Sequence, residues 1–349
     1  MKKTLLSVLL VFVLSALCAA ETNALIYETH YFPDIGTRYD PPFAINSLGT
    51  VVSNMGGMDD QKLHVVLWSK HEGLRDTGLV GVIAHDINDS EQVACHVDHT
   101  RAKLWNESDG LVDLGSLGFD SGAALALNNS GSVVGGSYAA LESIHAFYWD
   151  PATGMIDIGI SGGHQNSEAL DINETGQVVG YSYTAPFSSQ AFLWSLADGM
   201  QDLGTLGGTE GRASVINNVG QVAGVSTDQD GVYFMYVWTA DSGMRPVAEF
   251  EYDTYIHVNG INDNGLIAGT INHGLTDTKE AFVWTEESGF TILGLGNAYD
   301  INNSGQIVGR LPDGTAVLWE PVPEPSSLAA LGFGLVPFAA VGLRRRHRG

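Results

Sequence analysis

The sequence predicts an all-β protein, a seven-bladed β-propeller of four-stranded antiparallel blades whose last blade is completed by an N-terminal strand. Three observations lead there. A phrase of the form Ile-Asn-x-x-Gly, loosely kept, recurs with its asparagine at Asn46, Asn88, Asn128, Asn173, Asn217, Asn262 and Asn302, in steps of 42, 40, 45, 44, 45 and 40 residues. The seven tryptophans fall one per unit, at Trp68, Trp105, Trp149, Trp194, Trp238, Trp284 and Trp319, each 17 to 22 residues after its asparagine. Each unit also holds four short runs rich in Val, Ile, Phe and Trp, separated by Asn, Asp, Gly and Ser. A period of about 40–45 residues with four strands per unit is how a propeller blade reads in sequence.

The fourth unit shows the elements in order. Ala169 to Ile172 is an apolar first strand and Asn173-Glu174-Thr175-Gly176 a tight turn. Gln177 to Ser182 and Gln190 to Trp194 follow, and a last turn leads into Gly199-Met200-Gln201-Asp202-Leu203-Gly204. The seventh unit stops after Trp319 without that last strand, and Tyr31-Phe32-Pro33-Asp34-Ile35-Gly36 ahead of the first unit supplies a matching piece. Lending it to the last blade closes the ring and leaves no unpaired edge.

Composition agrees with a folded, exported body. At 349 residues, 44 % apolar and 16 % charged, the chain can bury a large core and is not disordered. The balance of 16 basic to 40 acidic residues, net −24, excludes a nucleic-acid partner, because phosphate binding needs clustered Lys and Arg.

The two ends read as addresses. Lys2-Lys3, an apolar run from Leu5 to Leu14 and the small residues Ser15, Ala16, Ala19 and Ala20 make a secretory signal peptide, residues 1–24, with cleavage after Ala20 or Ala24. At the other end Pro323-Glu324-Pro325 precedes a sixteen-residue apolar stretch, Leu328 to Leu343, and the basic cluster Arg344-Arg345-Arg346-His347-Arg348. That order of parts resembles the PEP-CTERM sorting signal of Gram-negative bacteria, here residues 321–349. The resemblance implies an exosortase-type processing enzyme as a partner, transient membrane association through the apolar segment, and export to the cell surface or beyond. A tail that stays as an anchor is the alternative. Six of the sixteen basic residues lie in the two ends while all forty acidic residues lie between Glu21 and Glu324, so that stretch has ten basic residues against forty acidic, a net charge near −30. Such a surface is soluble and repels anionic ligands unless cations intervene.

The units between, residues 25–320, resemble the HAF repeats of bacterial extracellular proteins. The triplet stands as His145-Ala146-Phe147, with Ala191-Phe192 and Ala281-Phe282 in other units. The resemblance implies secretion and a repeat architecture but no biochemical activity. The second unit departs most, with Glu91 in the turn glycine's place, Cys95 in a later glycine's and Lys103 where Phe usually stands.

No catalytic constellation is legible. The turn asparagines and Asp34, Asp76, Asp113, Asp157 and Asp202 recur once per unit, which points to a need of every blade, such as bonding its own turn backbone. The tryptophans likewise read as wedges between sheets. His85-Asp86, Cys95-His96 and His99 cluster in sequence, but Cys95 and His96 are neighbours on one strand and point to opposite faces, which is poor metal geometry. Asp263-Asn264-Gly265 and Asp228-Gln229-Asp230-Gly231 lack the ligand pattern of a calcium loop, so no cofactor is expected, and calcium enters only if loops meet in space.

The functional expectation rests on what fails to repeat. The loops between second and third strands, and between an outer strand and the next inner one, open on the same face. They carry Tyr39, Asp40, Asp59, Asp60, Phe119, Asp120, His164, Phe187, Tyr252, Asp253 and Tyr255. Aromatic rings and carboxylates on a rigid face suit sugars. The expected function is a non-enzymatic surface or matrix protein that binds exopolysaccharide or a surface protein. The alternative is a polysaccharide-cleaving hydrolase or lyase, which would need converging carboxylates at the central channel.

Overall fold

In the computed structural model, which describes residues 25–32, 44–56, 62–97, 101–184, 188–250 and 253–322, each sequence unit becomes one four-stranded antiparallel sheet. Seven such blades form the propeller: residues 44–80, 82–113, 122–159, 166–204, 207–249, 254–295, and 297–321 joined by Tyr27–Tyr31. Blade 4 is representative, with strands Asn166–Ile172, Val178–Thr184, Ser188–Ser195 and Gly199–Gly204.

The core lies between blades. Seven apolar clusters occupy the seven junctions, each built from two adjacent sheets. Each tryptophan packs against the blade before its own: Trp194 sits with Tyr148 of blade 3, their ring centroids 5.3 Å apart. The wedge reading holds, because a sheet buried on both faces needs a large side chain to fill its widening outer gap.

A glycine on the second strand sets the depth of this packing. At Gly180 an added Cβ would lie 2.0 Å from Glu168 O and 2.8 Å from the Phe192 ring, so the ring lies directly on the glycine. Blades without that glycine also lack the ring: Cys95 faces Lys103 and Ser53 faces Val66. The Cys95 and Lys103 departures of unit 2 are therefore one compensated change, whereas Glu91 stands apart and takes the left-handed backbone of the turn glycine, φ 54°. Cys95 is a small buried residue with its thiol pushed up to about 12 by burial.

The ring closes as expected in topology but not in register. Tyr27–Tyr31 is the outer strand of blade 7, pairing from Tyr27 opposite Pro321 to Tyr31 opposite Val317. The expected strand Tyr31 to Gly36 is corrected by about three residues. Phe32, not Ile35, takes the leucine place of Asp-Leu-Gly: its N–H donates to Ala316 O at 3.1 Å, as Leu114 N does to Ala102 O at 3.2 Å. Its buried ring meets Trp68 of blade 1 edge-on, with 4.2 Å between centroids. Asp34 lies outside the described residues.

Chain direction places both ends on one face. The third strand of blade 7 ends at Pro321 beside Tyr27, and Val322 N donates to Ile26 O at 2.8 Å. These ends lie with the Asn-x-x-Gly turns, on the face opposite the variable loops.

Candidate functional site

The inner strands surround a channel of about 660 Å³. A bulge in six of them leaves His85, Leu125, Leu170, Ser214, Asn259 and Tyr299 unpaired in the ladder, and all six line the channel. The next residue is aspartate in three blades, and each aspartate joins two blades. Asp86 accepts from Ile87 N and, across the junction, Leu127 N; Asp171 from Ile172 N and Ile216 N; Asp300 from Ile301 N and Ile45 N, all at 2.7–2.9 Å. Carboxylates do converge on the channel, with both oxygens occupied by backbone donors.

Loss of hydration pushes Asp86 up to about 6 and Asp171 to about 7, against those same backbone bonds, and Asp300 well above the usual range. The folded state thus holds these protons more tightly than the unfolded chain, whose aspartates titrate near 3.8. The stabilisation is complete below that value and is lost as pH rises through about 6 and 7. Urea unfolding is therefore expected to give a stability about 2–4 kcal/mol lower at pH 8 than at pH 5. Asp171→Asn should shrink that difference, and equal stability at both pH values would contradict the assignment.

At the turn end of the channel the repeated asparagines form a closed ring. Each Nδ2 donates to the backbone carbonyl of the next blade's asparagine, from Asn46 to Asn88 and on to Asn302, which returns to Asn46, every bond at 3.0–3.1 Å. Oδ1 meanwhile accepts from the asparagine's own turn, as from Thr175 N and Gln177 N at Asn173. The Asp-Leu-Gly aspartates bond their own turns as expected, Asp202 Oδ1 accepting from Gly204 N at 2.7 Å. In two blades they also hold the third-strand histidine, His145 at 2.8 Å from Asp157 and His64 at 3.1 Å from Asp76.

The chemistry that repeats is structural; a cleft that does not repeat opens at the variable-loop end, over blades 4, 5 and 6. It measures about 460 Å³ and is walled by Tyr181, Tyr183, Tyr233, Tyr255, Arg212 and His257. Tyr181 and Tyr183 stack with centroids 5.2 Å apart, and the Arg212 guanidinium lies 4.0 Å above the Tyr181 ring. The Tyr181 hydroxyl donates to Glu168 at 2.6 Å and the Tyr233 hydroxyl to Glu210 at 2.8 Å. Burial and the nearby carboxylate push Tyr233 up to about 12, so its phenol stays a neutral donor. Tyr255 is exposed and its ring is open to solvent. The arrangement offers flat apolar faces beside hydrogen-bonding groups, with room for an extended chain.

Of the sequence candidates among the described residues, Tyr255 alone lines this cleft, and His164 reaches its edge through Thr184, Nδ1 to Oγ1 at 3.2 Å. Phe119 is exposed away from it, and Asp120 pairs with Arg101 at 2.5 Å. Asp253 adopts a left-handed backbone, φ 78°, and its carbonyl accepts from Gly274 N at 2.8 Å. Tyr39, Asp40, Asp59, Asp60, Phe187, Tyr252 and His99 lie outside the described residues, as do Pro323, Glu324, Pro325, Arg344, Arg345 and Arg346. Sequence reasoning missed Tyr181, Tyr183, Tyr233 and Arg212 because they sit on strands. The available signal was the crowding of tyrosine at the strand ends of consecutive units. His85 bonds His96 at 2.9 Å, and among the described residues no three or more His, Cys, Asp or Glu side chains gather as a metal ion requires.

Comparison with known proteins adds the address and the fold. Residues 321–346 match the family described as the PEP-CTERM protein-sorting motif, a match that implies an exported protein and a signal processed at the membrane by an exosortase. No curated protein matches the chain in sequence. Among solved structures it is similar to the WD40 domain of Toxoplasma gondii coronin, at 11 % identity, TM-score 0.54 and 87 % coverage of each chain. It also resembles a Mycobacterium tuberculosis puromycin-hydrolyzing peptidase, at 11 % identity and TM-score 0.58, covering 83 % of this chain and 53 % of the peptidase. The β-propeller domain of the Pyrococcus furiosus Trilobed protease aligns at 13 % identity and TM-score 0.50, over 72 % of this chain and 82 % of that one. This chain thus spans about half the peptidase's length, and the likeness is one of fold.

Proposed function

We propose that this exported propeller is a non-enzymatic surface or matrix protein that binds polysaccharide through the tyrosine cleft. The observation that carries the reading is the convergence of four tyrosines, two of them bonded to glutamates, on one open face of a rigid ring. Sugar rings stack on such faces and their hydroxyls bond to acids and amides. The position of the chain ends supports it too. The sorting tail continues from Val322 on the opposite face, so a tethered or newly processed protein presents the cleft outward.

The test is retention of the full chain, in detergent, on immobilised polysaccharides. Tyr255→Ala is expected to weaken retention about tenfold, since single anchor side chains commonly carry that much. Unchanged retention would remove the cleft from the reading. A parallel assay for released reducing ends separates binding from cleavage: release would favour the hydrolase or lyase alternative.

A further inference from the structure

The charge inventory of the cleft points further. In a body with far more carboxylates than cations, a cation with no carboxylate beside it is the exception. Of the nine described Lys and Arg side chains, Lys70, Arg75, Arg101, Lys103 and Arg245 each hold a carboxylate. Arg212 and Lys279 form no ion pair among the described residues, and both are exposed.

Arg212 lines the cleft, and Lys279 acts on His257 in its wall. Arg212 projects from the inner strand of blade 5 over the Tyr181 ring. Lys279 stands in one cross-strand row of blade 6 with Asn272 and Tyr255, Tyr255 pairing with Asn272 and Asn272 with Lys279. Residues opposite each other in antiparallel strands project to the same side of the sheet, so Lys279 and Tyr255 share a side of blade 6. Both charges reach His257, which is held below the usual imidazole range first by partial burial and then by Lys279 and Arg212. The acids beside the cleft's tyrosines are engaged, Glu168 by Tyr181 and Glu210 by Tyr233, and Glu280 next to Lys279 pairs with His273.

We infer that the cleft takes an acidic sugar, a uronate-type residue of a polysaccharide, whose carboxylate meets Arg212 and Lys279 while its ring lies against the tyrosines. This rests on the polysaccharide-binding reading and narrows its substrate class. It also refines the expectation that so acidic a body repels anions: the overall field is negative, but this mouth presents two cations that form no ion pair among the described residues. A guanidinium matches a carboxylate in a planar fork, and a charge-assisted bond is roughly twice as strong as a neutral one.

The test uses the full chain in detergent with three probes: polygalacturonate, the same polymer with its carboxyl groups reduced to alcohols, and neutral dextran. Polygalacturonate is expected to bind, and carboxyl reduction to weaken binding about tenfold or more. The double variant Arg212→Gln, Lys279→Gln should lose affinity to a similar extent at an unchanged thermal midpoint, whereas Arg212→Lys, Lys279→Arg should keep most of it. Equal binding of native and reduced polymer, or an unaffected Gln variant, would overturn the acidic-sugar inference and leave the polysaccharide reading standing. Binding to none of the three would overturn the inference, and indifference to Tyr255→Ala across a wider glycan panel would take the broader reading with it.

Discussion

Deletion of residues 25–32 is expected to abolish cooperative thermal unfolding and to yield a chain that aggregates. The deletion removes all five paired residues of the outer strand of blade 7 and bares the edge Ala316–Pro321. Phe32 leaves the junction between blades 7 and 1, where Trp68 loses its edge-on partner. Removing a buried Phe side chain alone costs about 3–5 kcal/mol, against a net domain stability of about 5–15 kcal/mol. The contact of His30 with Glu320 inside blade 7 goes with it, leaving Glu320 ion-paired with Lys70 of blade 1 across the seam. Adding the peptide Leu25–Phe32 in trans should restore part of the transition. An unchanged midpoint in a melt followed by tryptophan fluorescence would contradict the closure.

The second large effect belongs to the asparagine ring. Asn173→Ala removes the bond to Asn217 O across the junction and the two backbone bonds inside its own turn, leaving buried polar groups without partners. An orphaned buried group costs about 1–3 kcal/mol, so the substitution should lower stability by about 3 kcal/mol or more, measured by urea unfolding. Asn173→Asp separates the two roles. It keeps the acceptor for the turn but sets a carboxylate oxygen against Asn217 O, and should cost nearly as much as alanine. If Asp were tolerated, the ring would contribute little and the asparagine would serve its turn alone.

The parts legible in the sequence are those every blade needs. Seven tryptophans at one spacing announce seven wedge-filling side chains, and the structure puts one at each junction. The short last unit announced a borrowed strand, but Asp34-Ile35-Gly36 imitates the repeat so closely that it hid the true register. That register is set by Phe32 against Trp68, a contact between residues from opposite ends of the ring's seam. The asparagines were recognisable as turn residues. Their reach into the next blade was not, because it joins positions 40 to 45 residues apart, or 256 at the closure, that only curvature brings together. The cleft was least legible. Variable loops drew attention to Tyr255, whereas Tyr181, Tyr183 and Arg212 stand in strands where alternation would as readily be read as core packing.

Hydrogen exchange of the full chain with and without bound polysaccharide tests the central claim, that ligand sits on the tyrosine cleft opposite the sorting tail. Slowed exchange should be confined to the segments carrying Tyr181 and Tyr183, Arg212, Tyr233, and Tyr255 with His257. Protection centred instead on the Asn-x-x-Gly turns, or none at saturating polymer, would contradict it.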